Sequence, residues 1–315
     1  SKFRGLFVAP AGPLRDSGEL ARVAFEAAGG KLVEIATDDR GEIIEALKDV
    51  DVAMGSINPD ANMFAAMDRC KGIVTGGHGY DRLDLQAATD NGIILANLAS
   101  FGTEEVSNHA LMLLLVCARK FVLHDKLVKS GNWTRQHLPP MGHVSGETLG
   151  LLGTGNIGRA LGRKCRALGM RILAYDPYAT SWDLKEYGFE TAQTVEEVCK
   201  EADYLSIHTP LTPETTGLVG EKQFKIMKHT AYVINCSRGK VVDESALINA
   251  LEMGQIAGAG LDVFEEEPTP DDNPLLQMDN VATTGHYASY SETAFERAGS
   301  QMGEEAVRIA MGYWP

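Results

Sequence analysis

The 315-residue chain is 44% hydrophobic and 23% charged, with a net charge of −14, a globular balance with room for two domains. The acidic excess repels a phosphate backbone and argues against a nucleic-acid partner. The five cysteines, Cys70, Cys117, Cys165, Cys199 and Cys236, are scattered and form no CxxC pair, which argues against a disulfide framework or a metal site and for a reducing compartment.

In chain order, Ser1-Lys2-Phe3-Arg4 runs directly into a strand, Gly5–Ala9, with no basic-then-apolar signal segment. Gly18 to Ala28 is amphipathic, with Leu20, Val23, Ala24 and Ala27 on one face and Gly29-Gly30 as its stop. Strands at Leu32–Ala36, Val52–Ile57, Gly72–Thr75 and Ile93–Ala96 alternate with helices at Glu42–Leu47, Ala61–Met67 and Leu85–Thr89. Such alternation implies a parallel sheet covered on both faces. From Thr103 to about His124 runs a longer helix with Val106, Ala110, Leu113, Leu114 and Cys117 on its apolar face, a natural bridge between domains. Its apolar run, Ala110–Ala118, is too short to span a bilayer. The expectation is a soluble, cytoplasmic protein without a membrane partner. Ser130-Gly131-Asn132-Trp133 ends the helix, and Pro139-Pro140-Met141-Gly142 reads as a loop.

The next stretch organises the chain. Thr148–Leu152 is an apolar run, Gly153-Thr154-Gly155-Asn156-Ile157-Gly158 follows, and Arg159, Ala160, Leu161, Cys165 and Leu168 continue a helical pattern. Gly153 makes the turn, Gly155 admits a pyrophosphate to the backbone, and Gly158 lets the helix pack on the strand. The phosphates belong at the helix N-terminus. A second strand, Arg171–Tyr175, ends in Asp176, where a carboxylate is expected to bind ribose hydroxyls. A 2′-phosphate of about −2 charge would be repelled there. At roughly 4 Å and an effective dielectric of about 20, each unit pair costs about 4 kcal/mol before screening. Pro177 and Tyr178 follow with no arginine to relieve this, so NAD is expected over NADP.

After Asp176, Thr194-Val195-Glu196-Glu197 reads as a capping box. Strands follow at Tyr204–His208, Ala231–Asn235, Ala257–Val263 and Val281–Thr284, with helices at Gly220–Met227 and Glu244–Met253. Ser291 caps a last helix to about Ala310. The fold class is α/β: two doubly wound Rossmann-like domains with parallel sheets and the active site in the cleft between them. Three polar residues follow strands in the second half: Arg238, Glu267 and His286. Arg grips a planar carboxylate with a fixed fork of donors. His passes a hydroxyl proton, and a neighbouring carboxylate favours its protonated form. The set suits a small anionic 2-oxo or 2-hydroxy acid.

The chain resembles the D-isomer-specific 2-hydroxyacid dehydrogenases over nearly its whole length. The resemblance is carried by Gly77-His78-Gly79-Tyr80-Asp81-Arg82-Leu83-Asp84-Leu85, the glycine motif, Asp176-Pro177-Tyr178, His208-Thr209-Pro210-Leu211-Thr212, Asn235-Cys236-Ser237-Arg238-Gly239, Leu261-Asp262-Val263-Phe264, Glu267-Pro268 and His286. It implies a substrate-binding, flavodoxin-like domain at 1–98 plus 288–315, and an NAD-binding domain at 99–287. It implies that Arg238 binds the substrate carboxylate and carbonyl, that His286 is the acid/base, and that Glu267, the glutamate before the proline, is its partner. Implied NAD contacts are Gly153, Gly155, Asn156, Ile157, Gly158, Asp176, His208, Thr209, Pro210, Thr215, Cys236, Ser237, Arg238, Asp262 and His286. Gly77, His78 and Gly79 resemble the family's substrate loop, whose N–H groups hold the carboxylate. The chain departs from the family in having Gly285 where Pro is common, Asn108 where Glu or Asp is common, and His78 in place of a small residue. The family is usually dimeric, and the helix after Thr103 fits either a dimer contact or burial within one chain.

The reading is an NAD-dependent oxidoreductase moving a hydride between nicotinamide and C2 of a D-2-hydroxy acid. Candidate substrates are glyoxylate, hydroxypyruvate, 3-phosphoglycerate and branched 2-oxo acids. An NAD(H)-sensing protein of the C-terminal-binding corepressor type shares the triad, and a dehydrogenase of formate or phosphite is a third reading.

Overall fold

The computed structural model describes residues 1–9, 17–133 and 139–314. The chain divides into two compact units, Ser1–Gly102 with Tyr290–Pro315, and Thr103–Ser289. In chain order the first unit contains β1 (Arg4–Ala9), α1 (Ser17–Ala27), β2 (Lys31–Ala36), α2 (Arg40–Leu47), β3 (Val52–Gly55), α3 (Ala61–Ala65), β4 (Gly72–Thr75), α4 (Leu85–Asp90) and β5 (Ile94–Ala96). The second contains α5 (Thr103–Ala118), α6 (Phe121–Lys129), β6 (Thr148–Leu152), α7 (Asn156–Ala167), β7 (Arg171–Tyr175), α8 (Ser181–Glu186), β8 (Glu190–Thr191), α9 (Val195–Glu201), β9 (Tyr204–Ile207), α10 (Glu221–Ile226), β10 (Tyr232–Asn235), α11 (Glu244–Glu252), β11 (Gly258–Leu261) and β12 (Val281–Thr283). The last helix, α12 (Glu292–Met311), belongs to the first unit again.

The first sheet has the order β2-β1-β3-β4-β5 and is parallel throughout. Its helices α2, α3 and α4 start on Asp39, Asp60 and Asp84, whose carboxylates accept the N–H of Glu42, Met63 and Ala87. The second sheet has the order β12-β11-β10-β9-β6-β7-β8, also parallel. Strand direction of crossover reverses between β6 and β9, the switch point at which doubly wound sheets bind ligands. β9, β10 and β11 are buried at every residue, because helices cover both faces. Along β10, Val233 packs with Leu205, Phe224 and Leu247 on one face. Tyr232 and Ile234 pack with Leu113, Leu149 and Leu161 on the other, the two-residue alternation of a strand.

Several expectations are corrected. The helix from Thr103 to about His124 is two helices: α5 stops at Ala118, Lys120 takes a left-handed φ of 49°, and α6 leaves at 65°. Lys120 N–H still bonds back to Cys117 O, so the turn closes α5 while redirecting the chain. The predicted apolar face of α5 is buried at all five positions, within its own unit against α7, β10 and β11. Burying Leu113 and Leu114 there contributes about 1.5–3 kcal/mol each. In α1 the buried hydrophobic residues are Ala21 and Phe25, while Val23 is 58% exposed. The large Phe25 ring, not the smaller residues beside it, sets which face turns inward. Thr194 caps the Glu197 N–H, but the Glu197 carboxylate accepts from Gln193 rather than Thr194. The two-way box lies at Thr180 and Asp183 instead, opening the unexpected pair α8 and β8. β3 stops at Gly55, whose φ of 106° is left-handed. No single helix among the described residues is long and apolar enough to cross a membrane.

Candidate active site

The glycine turn follows β6. Gly153 has a φ of +91°, and a Cβ there would stand 2.7 Å from the His208 carbonyl oxygen, so only glycine fits. A Cβ on Gly158 would overlap the Gly153 carbonyl oxygen, which is how closely α7 lies on the turn. Gly155 differs. Its φ of −64° suits any residue, and its Cβ would meet nothing within 4 Å. Here the protein itself does not require glycine. The first turn of α7 carries no side-chain cap, so Asn156, Ile157 and Gly158 present a helix N-terminus to the space beside Gly155.

Asp176 follows β7 and fixes that turn. Its Oδ2 accepts the Thr154 N–H at 2.7 Å and the Thr154 hydroxyl at 2.9 Å; its Oδ1 accepts the Tyr178 N–H at 2.9 Å. A carboxylate has about four acceptor sites, so roughly one remains for a ligand hydroxyl. His208 and Thr209 follow β9 across the switch point. His208 Nε2 lies 2.8 Å from Ser206 Oγ, and burial pushes its pKa down to about 4, leaving the ring neutral. Thr209 Oγ1 is buried with no hydrogen-bond partner among the described residues. Pro210 is exposed. The Thr215 hydroxyl donates to Pro210 O at 2.6 Å and accepts the Thr212 N–H at 2.8 Å, so it shapes this loop.

β10 ends at Asn235, which is 1% exposed. Its Oδ1 accepts the Ser237 N–H at 3.0 Å and the Ser237 hydroxyl at 2.9 Å, and its Nδ2 donates to Arg238 O at 3.0 Å. This one amide folds Cys236, Ser237 and Arg238 into a fixed turn. Burial raises the Cys236 pKa, so the thiol stays protonated. Arg238 Nη1 donates to Ser237 O at 2.8 Å. A Cβ on Gly239 would overlap the Phe264 carbonyl; the arginine turn therefore touches the acidic loop through its backbone.

Of the three glutamates in that loop, Glu265 accepts the Glu244 N–H at 3.1 Å, and Glu267 is the one brought to a histidine. Glu267 Oε1 accepts the Phe264 N–H at 3.1 Å, and its Oε2 lies 2.7 Å from His286 Nδ1. A carboxylate on Nδ1 fixes the ring and leaves Nε2 for a substrate. His286 has a left-handed φ of 56°, rare for a residue with a Cβ. Its N–H donates to Asp262 O at 2.7 Å. Asp262, 1% exposed, accepts the Thr284 hydroxyl at 2.7 Å and the Tyr287 N–H at 3.2 Å on Oδ1, and the Ala288 N–H at 3.0 Å on Oδ2.

Residues 111–288, which carry all of these groups, match the D-isomer specific 2-hydroxyacid dehydrogenase, NAD binding domain. The chain belongs to the D-isomer-specific 2-hydroxyacid dehydrogenase family. It is 41% identical over 278 residues to the glyoxylate reductase of Korarchaeum cryptofilum, covering 87% of this chain and 83% of that one. It is 37% identical over 283 residues to the D-3-phosphoglycerate dehydrogenase of Methanocaldococcus jannaschii, covering 89% of this chain but only 54% of that longer protein. Among solved structures, D-lactate dehydrogenase from Aquifex aeolicus, complexed with NAD and lactic acid, superposes with a TM-score of 0.83 at 28% identity, covering 98% of this chain and 96% of that one.

NAD is the cofactor of this dehydrogenase family's matched domain, and the residues present fit it. The space at Gly155, the uncapped start of α7, the buried Thr209 hydroxyl and the remaining acceptor site of Asp176 are what a dinucleotide needs. Three further residues of the dehydrogenase were not read from the sequence as site residues: Asn235, Thr284 and His109, whose Nε2 lies 2.8 Å from Thr284 Oγ1. Only their positions at strand ends and on a helix hinted at them. In the first unit, Leu98 N–H donates to Gly77 O at 3.0 Å and Asn97 Nδ2 to His78 O at 2.7 Å. The His78 ring stacks on Phe101 at 4.6 Å. Among the described residues no group of His, Cys, Asp and Glu could hold a metal ion.

Proposed function

We propose that the protein is an NAD-dependent D-2-hydroxyacid dehydrogenase acting on a small 2-oxo or 2-hydroxy acid, with glyoxylate the first substrate to try. The observation that carries this is the 2.7 Å pairing of His286 Nδ1 with Glu267 on the unit that holds the glycine turn. NAD, when bound, supplies or accepts the hydride at substrate C2. Arg238 grips the carboxylate and polarises the C2 carbonyl. His286, oriented by Glu267, gives its Nε2 proton to the oxygen in reduction and takes one back in oxidation. Asp176 takes a ribose hydroxyl, and Gly153, Gly155, Asn156, Ile157 and Gly158 cradle the pyrophosphate. Thr209, Pro210, Cys236, Ser237 and Asp262 complete the cofactor's surroundings. Gly77, His78 and Gly79 are assigned to the substrate carboxylate.

The proposal extends to a homodimer in a reducing cytoplasm. Exposed Phe121 and Trp133 support the first, and five cysteines without a disulfide the second. The deciding experiment is NADH oxidation against a panel of 2-oxo acids. Turnover of glyoxylate or a near relative is expected. Tight NADH binding with no turnover on any acid would overturn the enzyme reading in favour of a sensor.

A further inference from the structure

A second histidine lies behind the His286 turn. His109, on α5, has a side chain 12% exposed, and its ring stands edge-on to Tyr287 at 5.6 Å. Its Nε2 is 2.8 Å from Thr284 Oγ1 and 3.5 Å from Asp262 Oδ1. Counting protons fixes the direction of these bonds. Asp262 accepts a backbone N–H on each oxygen, so its carboxylate is all acceptor. The Thr284 hydroxyl, 2.7 Å away, must give its single proton to Oδ1. Oγ1 then offers His109 only lone pairs, so His109 Nε2 carries a proton and donates it. Burial lowers the His109 pKa against the pull of Asp262, and a neutral ring is enough, since one N–H serves.

We propose that His109 is a positioning residue for His286. Its Nε2–H fixes Thr284, Thr284 fixes the Asp262 carboxylate, and Asp262 holds the 286–288 backbone in the left-handed turn that aims the imidazole. The proposal rests on the reading of His286 as the proton donor. An apolar residue at 109 would fill the space beside Tyr287 equally well. It would leave the Thr284 oxygen free to rotate away from Asp262.

The test uses full-length His109→Leu, His109→Gln, Thr284→Val and Thr284→Ser. A glutamine amide can donate to Thr284 as Nε2 does; leucine cannot. His109→Leu and Thr284→Val are expected to lower kcat by about 10- to 100-fold, since small misplacements of a reacting group cost that much. KM and NADH affinity should stay near parent values. Amide hydrogen exchange at Tyr287 and Ala288 should speed up in both. His109→Gln and Thr284→Ser should restore kcat and protection. Parent-like kcat and protection in His109→Leu would overturn the proposal, as would a His109→Gln variant as impaired as His109→Leu. If His109→Leu does not fold, the two Thr284 variants and His109→Gln decide. If the parent protein reduces no acid in the panel, the oxidoreductase reading falls, while the exchange comparison still decides whether His109 holds the turn.

Discussion

Nδ1 of His286 stands 2.7 Å from Oε2 of Glu267, and the other oxygen of that carboxylate is held by the Phe264 N–H. The imidazole is therefore oriented by a group that is itself anchored. His286→Ala is expected to lower kcat by about 10²–10⁴-fold, the usual worth of a general acid, with NADH affinity little changed. Steady-state kinetics on the best oxo acid, with NADH binding by fluorescence, checks both halves. Near-parent turnover would remove His286 from the chemistry.

Gly155 and Gly158 should separate cofactor binding from folding. Gly158→Ala drives a Cβ into the Gly153 carbonyl and is expected to lower Tm by several degrees, as about 1–3 kcal/mol of overpacking does. Gly155→Ala meets nothing within 4 Å and keeps an ordinary φ, so the apo Tm should hold while NADH affinity drops at least about tenfold, or 1.4 kcal/mol. Unchanged NADH affinity in Gly155→Ala would place the pyrophosphate elsewhere.

Asp176→Ala should narrow the preference for NADH over NADPH by about tenfold or more. One unit pair at 4 Å is worth about 1 kcal/mol even in bulk water, and a 2′-phosphate brings nearly two charges. Measuring kcat/KM for both cofactors decides it. Because Asp176 also holds Thr154, Asp176→Asn is the companion variant: it keeps an acceptor for the turn and removes the charge. An unchanged ratio in both would take Asp176 out of cofactor selection.

His208 gives a pH signature. Its folded pKa, about 4, lies below the ordinary 6.5. Between these values the unfolded chain binds the extra proton, so stability rises with pH. The parent's Tm should fall as the pH drops from about 6.5 toward 4, and His208→Gln should flatten that slope. Parallel Tm–pH curves for the two proteins would show that His208 takes up its proton without unfolding.

The glycine turn, Asp176 and the buried strands were readable because each depends on neighbours close in sequence. The choice of Glu267 among three adjacent glutamates came instead from the family resemblance, in which the glutamate precedes the proline. The break at Lys120 was hidden because Phe121, seven residues after Leu114 and four after Cys117, continues the apolar period of α5 past it. Thr284 and His109 gave no local signal, since each acts through partners fixed by tertiary folding, whereas Asn235 bonds only to Ser237 and Arg238 beside it and looked like any polar residue closing a strand. Thr284 reaches Asp262 across 22 residues and His109 across 175. Hydrogen bonds of that span leave no period in a sequence.

Ala294, Ala298, Met302, Ala306 and Ile309 of α12 share one cluster with Phe7, Phe25, Val52 and Met54. β1, α1 and β3 are thus sealed by a helix that follows the whole second unit in the chain. During synthesis the second unit can finish before the first sheet, which stays uncovered on one side until α12 has been made. A premature stop after residue 291 would therefore injure the unit built on Ser1–Gly102, far from the lesion.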